Sequence, residues 1–283
     1  MSIVVAGAAG HLGRDVVAAL LARGVPAGQI VATARKIEAL ADFAAQGVVV
    51  RFADHDDPAS LRTAFEGAQT LLLISGSVPG ARLTQHRNVI AAARNEGVAL
   101  LAYTSILKAD SSSLLLAQDH KATEEMLAES AVPHAVLRNG WYFENYTGQL
   151  ATYLEHGIVG AAGVGKVSAA ARADFADAAA AVLTTDGHAG AVYELGGESF
   201  TLTEFAASLS TALGRTIDYT DVPHAQFEQI LLGAGLPAPV AAIYADADRG
   251  IAAGELFTDA NDLEKLIGRT PVPLAEALAR LDV

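Results

Sequence analysis

Close to the start of the chain an apolar run breaks into three glycines. In VVAGAAGHLGRDVV, residues 4–17, Gly7, Gly10 and Gly13 stand three residues apart, and apolar residues then return at helical intervals. The pattern predicts a strand, a tight turn and a helix. Without side chains in the way, the first N–H groups of that helix form an anion site, and a pyrophosphate fits it. A glycine-rich turn also arises where two elements merely pack closely. Here the strand before it and the helix after it supply the context a dinucleotide site requires. Gly7, Ala9, Gly10, His11, Leu12 and Gly13 are therefore expected to bind a dinucleotide.

The alternation of strand and helix then recurs along the chain. Apolar runs at 3–6, 30–33, 48–52, 70–74, 99–103 and 134–138 read as strands, and segments of helical periodicity at 12–23, 37–46, 58–66, 81–96 and 114–130 separate them. Several helices end at glycine, as at Arg23-Gly24, Gln46-Gly47, Glu66-Gly67 and Glu96-Gly97, where a left-handed residue closes a helix. Strands alternating with helices predict an α/β fold with a doubly wound parallel sheet, of the Rossmann type. Beyond residue 150 a Gly/Ala-rich stretch precedes a helix at 174–184, a strand at 192–195, a helix at 203–213 and two helices broken at Gly235-Leu236-Pro237. Thr201 and Thr203 are both candidate caps for the helix at 203–213, with Glu204 in its first turn. The expected organisation is a dinucleotide-binding core over 1–140 and a smaller α/β substrate lobe over 141–283, some of whose segments return to the core.

Composition narrows the function. The 283 residues are 52% hydrophobic and 18% charged, and carry a formal charge of −13 with the basic residues scattered. An acidic chain without a basic stripe is a poor partner for nucleic acid or an anionic membrane. No apolar run is long enough to span a bilayer. The absence of cysteine excludes disulfides, thiolate metal sites and cysteine nucleophiles. Strand character from Ser2 or Ile3 leaves no room for a signal peptide, so a cytoplasmic protein is expected, as a monomer or homodimer. The eight histidines form no metal-ligand spacing, and no Gly-x-Ser-x-Gly elbow follows a strand.

The end of the second strand approaches the adenosine ribose in such a fold, and a carboxylate there grips the 2′-hydroxyl of NAD. This chain has Thr33, Ala34, Arg35 and Lys36 instead. The donor fork of Arg35 matches a 2′-phosphate, which favours NADP(H), with NAD(H) possible and neither metal nor flavin expected. Asp54 either accepts from the adenine amino group or only begins the next turn. Ile74, Ser75 and Gly76 end the fourth strand, where carboxyl-end loops face the cofactor, and Asn139 ends the sixth.

The segments VAGAAGHLG, LLLISGS, QHRNVIAAARNEGV, AYTS, HKATEEML and LRNGWYFENY resemble the NmrA-like branch of the atypical short-chain dehydrogenases. The likeness extends through EHGIVGAAGVGKVSAAARADFADAAAAVL and DLEKLIGR. LRNGWYFENY and the later segments are the more specific, to its quinone- and triphenylmethane-reductase members. The resemblance implies an NADPH-dependent oxidoreductase whose small-molecule substrate is a quinone or another extended aromatic acceptor.

Typical short-chain dehydrogenases protonate an alkoxide with a Tyr-x-x-x-Lys pair, which this chain lacks. A quinone needs no strong acid, because the phenolate of its quinol titrates at roughly 10 and aromatisation drives the transfer. Polarising hydrogen bonds suffice, and Tyr103, Ser105 and His120 are the catalytic candidates. His120 otherwise reads as a surface or capping residue, and Lys121 as solvated. After the sixth strand, Gly140, Trp141, Tyr142 and Phe143 are the substrate candidates, since aromatic faces suit a flat electron-poor ring. Equally, these rings can anchor the lobe. Two other functions fit the same residues: a regulatory protein that senses NADP without turnover, and an enzyme that tailors aromatic polyketides by quinone reduction or oxygen-dependent hydroxylation.

Overall fold

The computed structural model describes residues 2–76 and 80–281. The first half supplies six strands, β1 (Ile3–Ala6), β2 (Ile30–Ala34), β3 (Val49–Phe52), β4 (Thr70–Leu73), β5 (Leu100–Ile106) and β6 (His134–Asn139). Between them run α1 (His11–Ala22), α2 (Ala41–Ala45), α3 (Pro58–Phe65), α4 (Arg82–Asn95) and α5 (Leu115–Glu129). The four helix ends expected at glycine do turn there with positive φ.

The second half begins with β7 (Trp141–Tyr142), α6 (Phe143–Thr147), α7 (Leu150–His156), β8 (Ile158–Gly160), β9 (Val167–Ala170), α8 (Arg172–Thr184) and β10 (Val192–Leu195). It continues with β11 (Ser199–Phe200), α9 (Leu202–Leu213), β12 (Tyr219–Asp221), α10 (His224–Gly233), α11 (Ala238–Ala252), α12 (Asp262–Ile267) and α13 (Leu274–Ala279). Thr201 caps α9: its hydroxyl accepts from the Glu204 N–H while the Glu204 carboxylate accepts from the Thr201 N–H, a reciprocal capping box.

The central sheet is parallel throughout, in the order β10-β6-β5-β4-β1-β2-β3. Its inner strands are apolar on both faces because helices cover both. Alternate residues divide accordingly. Ile3, Val5, Leu72 and Ala102 pack with α1, α8 and α12, whereas Val4, Ala6, Leu71, Leu73 and Tyr103 pack with α3, α4 and α5. A third apolar cluster, built on Phe143, Tyr146, Tyr153, Phe200 and Phe205, forms the interior of the lobe. β10 and α8 extend the sheet and its cover from the second half of the chain.

Three differences from the sequence expectations have local causes. The helix expected over 37–46 is a 3₁₀ turn, Ile37–Leu40, followed by the short α2. β5 runs on to Ile106, because Thr104 and Ser105 pair in register with Leu137 and Arg138 of β6 and their hydroxyls have partners. The Gly/Ala-rich stretch conceals β8 and β9. A side chain on Gly140 would come within 2.5 Å of Ser168 O and one on Gly197 within 2.4 Å of Ala169 O, so β9 lies where backbones nearly touch and small residues are required.

Inside the lobe, α11 carries Asp248, whose buried Oδ2 accepts the Ala161 N–H at 2.7 Å. Burial raises its pKa to about 6, against the pull of that hydrogen bond and with help from Asp221. The native state thus holds this proton to higher pH than the unfolded chain does, so stability falls as pH rises through about 6. Asp248→Asn keeps an acceptor without the charge. It is expected to raise the unfolding free energy at neutral pH by ~1–3 kcal/mol and to change it little near pH 4, as read by urea denaturation.

Candidate active site

The strand order reverses between β1 and β4, so the chains leaving their carboxyl ends diverge and open a crevice. One lip is the glycine turn. Gly7 has φ +93°, a left-handed conformation, and its carbonyl accepts the Gly10 N–H at 3.1 Å. A Cβ on Gly13 would sit 2.3 Å from Gly7 O, so α1 can press against the turn only if residue 13 is glycine. Gly10 differs, for its Cβ would come no nearer than 3.5 Å to any atom of that turn. Ala9, Gly10 and His11 are exposed, while Leu12 is buried beneath them. No side chain caps α1 and no acid occupies its first turn. An uncapped helix start with a bare position before it fits the pyrophosphate of a dinucleotide.

Past β2, Arg35 is exposed and, among the described residues, forms no ion pair. Arg14, on α1, is by contrast neutralised by Asp42, donates to Ala39 O and lies over the Phe43 ring. Arg35 is thus a cation available to a ligand phosphate, and the β2 end carries no carboxylate. Asp54 builds the turn after β3. Its Oδ1 accepts the Asp56 N–H at 3.0 Å, and its backbone is tied to Ser60.

The opposite lip is Ile74, Ser75 and Gly76. The Ile74 Cβ would be 3.4 Å from a Cβ on Gly7, which brings the two lips together at the crevice floor. Thr104 Oγ1 accepts the Ser75 N–H at 3.0 Å. Two buried polar atoms at these strand ends, Ser75 Oγ and Asn139 Oδ1, have no hydrogen-bond partner among the described residues. Buried polar groups are nearly always paired, so such atoms mark places where a polar ligand belongs. The amide of Asn139 donates to the Tyr142 hydroxyl at 3.3 Å.

Tyr103 is fully buried on β5, its hydroxyl 2.8 Å from His120 Nδ1 of α5. Burial pushes the phenol well above its usual range, despite the nearby hydroxyls of Thr123 and Ser75. Burial also takes His120 down to about 3, with Arg82 and His86 adding to the fall. The pair is neutral at physiological pH and offers hydrogen bonds without a readily released proton. Ser105 points to the same side of the sheet but donates to Glu124 Oε1 at 2.6 Å. Glu124 also holds the buried Arg138 through two hydrogen bonds, and Glu194 and Asp110 add further contacts. The Ser105 hydroxyl proton is therefore committed to a structural ion network.

The aromatic segment divides. Gly140 is wedged between Ser168 O and Leu195 O and donates its N–H to the latter at 2.7 Å; it is a packing glycine. Phe143 is 2% exposed and packs on Phe200, so it belongs to the lobe interior. These two correct the expectation of a substrate wall. Trp141 and Tyr142 remain half-exposed. Tyr142 packs against Phe175, and the Arg172 guanidinium lies over its ring at 5.6 Å.

Sequence reading missed His86, Arg82 and Gln85. All three are buried on α4, and their i, i+3, i+4 spacing was the available signal of one polar face turned inward. Among the described residues no cluster of acids and histidines could hold a metal, and no helix is long and apolar enough to cross a membrane.

The pattern of the NmrA-like family matches residues 1–248. The chain belongs to the NmrA-like family. Quinone oxidoreductase 2 of Escherichia coli (strain K12) is 48% identical to it over 281 residues, 99% of this chain and 98% of that relative. The crystal structure of the NADPH-dependent E. coli quinone oxidoreductase with NADPH superposes with a TM-score of 0.95 at 47% identity, covering 98% of each chain. Citrobacter sp. triphenylmethane reductase complexed with NADP(H) gives 0.92 at 39% identity, covering 98% of this chain and 99% of that one.

The glycine turn of this NmrA-like protein can be dissected by two substitutions. Gly13→Ala is expected to cost ~1–3 kcal/mol of stability by overpacking. Gly10→Ala is expected to stay within ~1 kcal/mol of the parent, yet to weaken dinucleotide binding about tenfold or more by filling the cradle. Thermal denaturation and cofactor titration separate the two effects.

Proposed function

We propose that this NmrA-like protein is a reductase that uses NADPH to reduce a quinone or a similar extended aromatic acceptor. The observation that carries the reading is the pair of unpartnered buried atoms, Ser75 Oγ and Asn139 Oδ1, at the crevice whose other lip is an uncapped helix start. The E. coli and Citrobacter reductases, similar over nearly the whole chain, support it.

In this reading the first turn of α1 and Gly10 receive the pyrophosphate, Arg35 the 2′-phosphate, and Ser75 and Asn139 the nicotinamide end. When bound, NADPH supplies a hydride, that is, two electrons and one proton. The Tyr103–His120 pair polarises the acceptor side of the crevice by hydrogen bonding and orientation. Trp141 and Tyr142 flank the flat acceptor. A quinol oxygen leaves the reaction as a weak base, so its proton comes from water and no side chain has to surrender one. Ser105 contributes by holding Glu124, which with Arg138 fixes α5 against the sheet and keeps His120 opposite Tyr103.

Absorbance of NADPH, and separately of NADH, followed with a series of benzo-, naphtho- and anthraquinones with and without oxygen tests the function. Saturable, oxygen-independent oxidation that prefers NADPH is expected. Binding without turnover would favour the sensing role, and an oxygen requirement the tailoring one. Arg35→Ala is expected to raise KM for NADPH about 10- to 100-fold while leaving NADH kinetics nearly unchanged. Because His120 and His86 lie near 3 and Tyr103 far above its usual range, the pH profile of kcat/KM is expected to carry no inflection from these three groups between about pH 5 and 9.

A further inference from the structure

The lip formed by Ile74, Ser75 and Gly76 is held from behind by α4. Arg82, Gln85 and His86 form one buried polar face of that helix, and His86 is wholly inaccessible. Its Nε2 accepts the Gly76 N–H at 3.1 Å. Arg82 Nε donates to the Gly76 carbonyl at 2.7 Å, so both polar groups of residue 76 are fixed. The same helix reaches the neighbouring loop after β3, where Gln85 Nε2 donates to Asp56 Oδ2 and Asn88 Nδ2 to His55 O.

Hydrogen counting settles the tautomer of His86. Its Nδ1 lies 2.9 Å from Thr123 Oγ1, and the single hydroxyl proton of Thr123 is donated to Asp119 O at 2.8 Å. Thr123 must then accept from His86, which places the imidazole proton on Nδ1 and leaves Nε2 bare. A bare Nε2 is what the Gly76 N–H requires.

We infer that His86 is a positioning residue for the cofactor: through the Gly76 N–H it fixes the peptide between Ser75 and Gly76 at the lip of the crevice. His86 touches neither cofactor nor acceptor, and acts only by denying that peptide its freedom to rotate. The inference rests on the reading of the crevice as a dinucleotide site.

Three variants test it, each assayed by fluorescence titration with NADPH, by steady-state kinetics with a quinone and by melting of the free protein. His86→Gln places an amide oxygen near the lost Nε2, His86→Phe fills the volume without an acceptor, and Thr123→Val removes the group that selects the tautomer. His86→Phe is expected to raise the Kd for NADPH about tenfold, and His86→Gln to restore it to within about threefold of the parent. Thr123→Val is expected to fall between them, and kcat at saturating NADPH to change by less than about twofold in all three. A folded His86→Phe protein with unchanged Kd overturns the inference, even if its melting temperature falls. So does a His86→Gln protein that binds as weakly as His86→Phe. Should His86→Phe fail to fold, an unchanged Kd in Thr123→Val overturns it. A parent protein that binds no NADPH overturns the reading of the crevice itself.

Discussion

The reversal of strand order between β1 and β4 is the constraint on which the rest of this molecule depends. Parallel strands joined by right-handed crossovers place successive helices on one face while the sheet grows in one direction and on the other when it grows back. β1 and β4 are neighbours, but the chain leaves them towards opposite faces, into α1 and α4. The glycine turn and the Ser75–Gly76 peptide therefore face each other, and the residues around them are chosen for what they leave open as much as for what they fill.

Helix α5 registers two polar pairs against β5. Tyr103 meets His120, and Ser105 meets Glu124 one helical turn further on. The two pairs differ in kind. Glu124 joins a charged network in which burial works against the charge on Arg138, yet Glu124 and Glu194 hold it more firmly protonated than usual. Tyr103 and His120 are uncharged. One pair fastens the helix to the sheet by charge, and the other by a hydrogen bond between two buried neutral groups.

How much of this can be read from the chain depends on whether the signal is local. Gly7, Gly10 and Gly13 announce their turn by spacing, and Arg35 announces itself by standing where a carboxylate is usual. Neither needs tertiary information. Ser105 escapes such reading because its hydroxyl is decided by Glu124, nineteen residues away, although the i, i+4 relation of His120 to Glu124 is on view. Phe143 looks like a wall because a sequence does not say which aromatic neighbours, here Phe200, will meet it. β9 is invisible for a related reason: its small residues answer to Gly140 and Gly197, not to any periodicity of their own.

The neutral Tyr103–His120 pair sets a boundary on what such a crevice can consume. An aliphatic ketone or aldehyde becomes a strongly basic alkoxide on reduction and stalls without an acid to quench it. Within the proposed chemistry, a chamber whose nearest phenol and imidazole both hold their protonation states ignores such carbonyls and responds to electron affinity instead. In that chemistry selectivity comes from an omission: the Tyr103–His120 pair hands no proton to the simple carbonyls of metabolism.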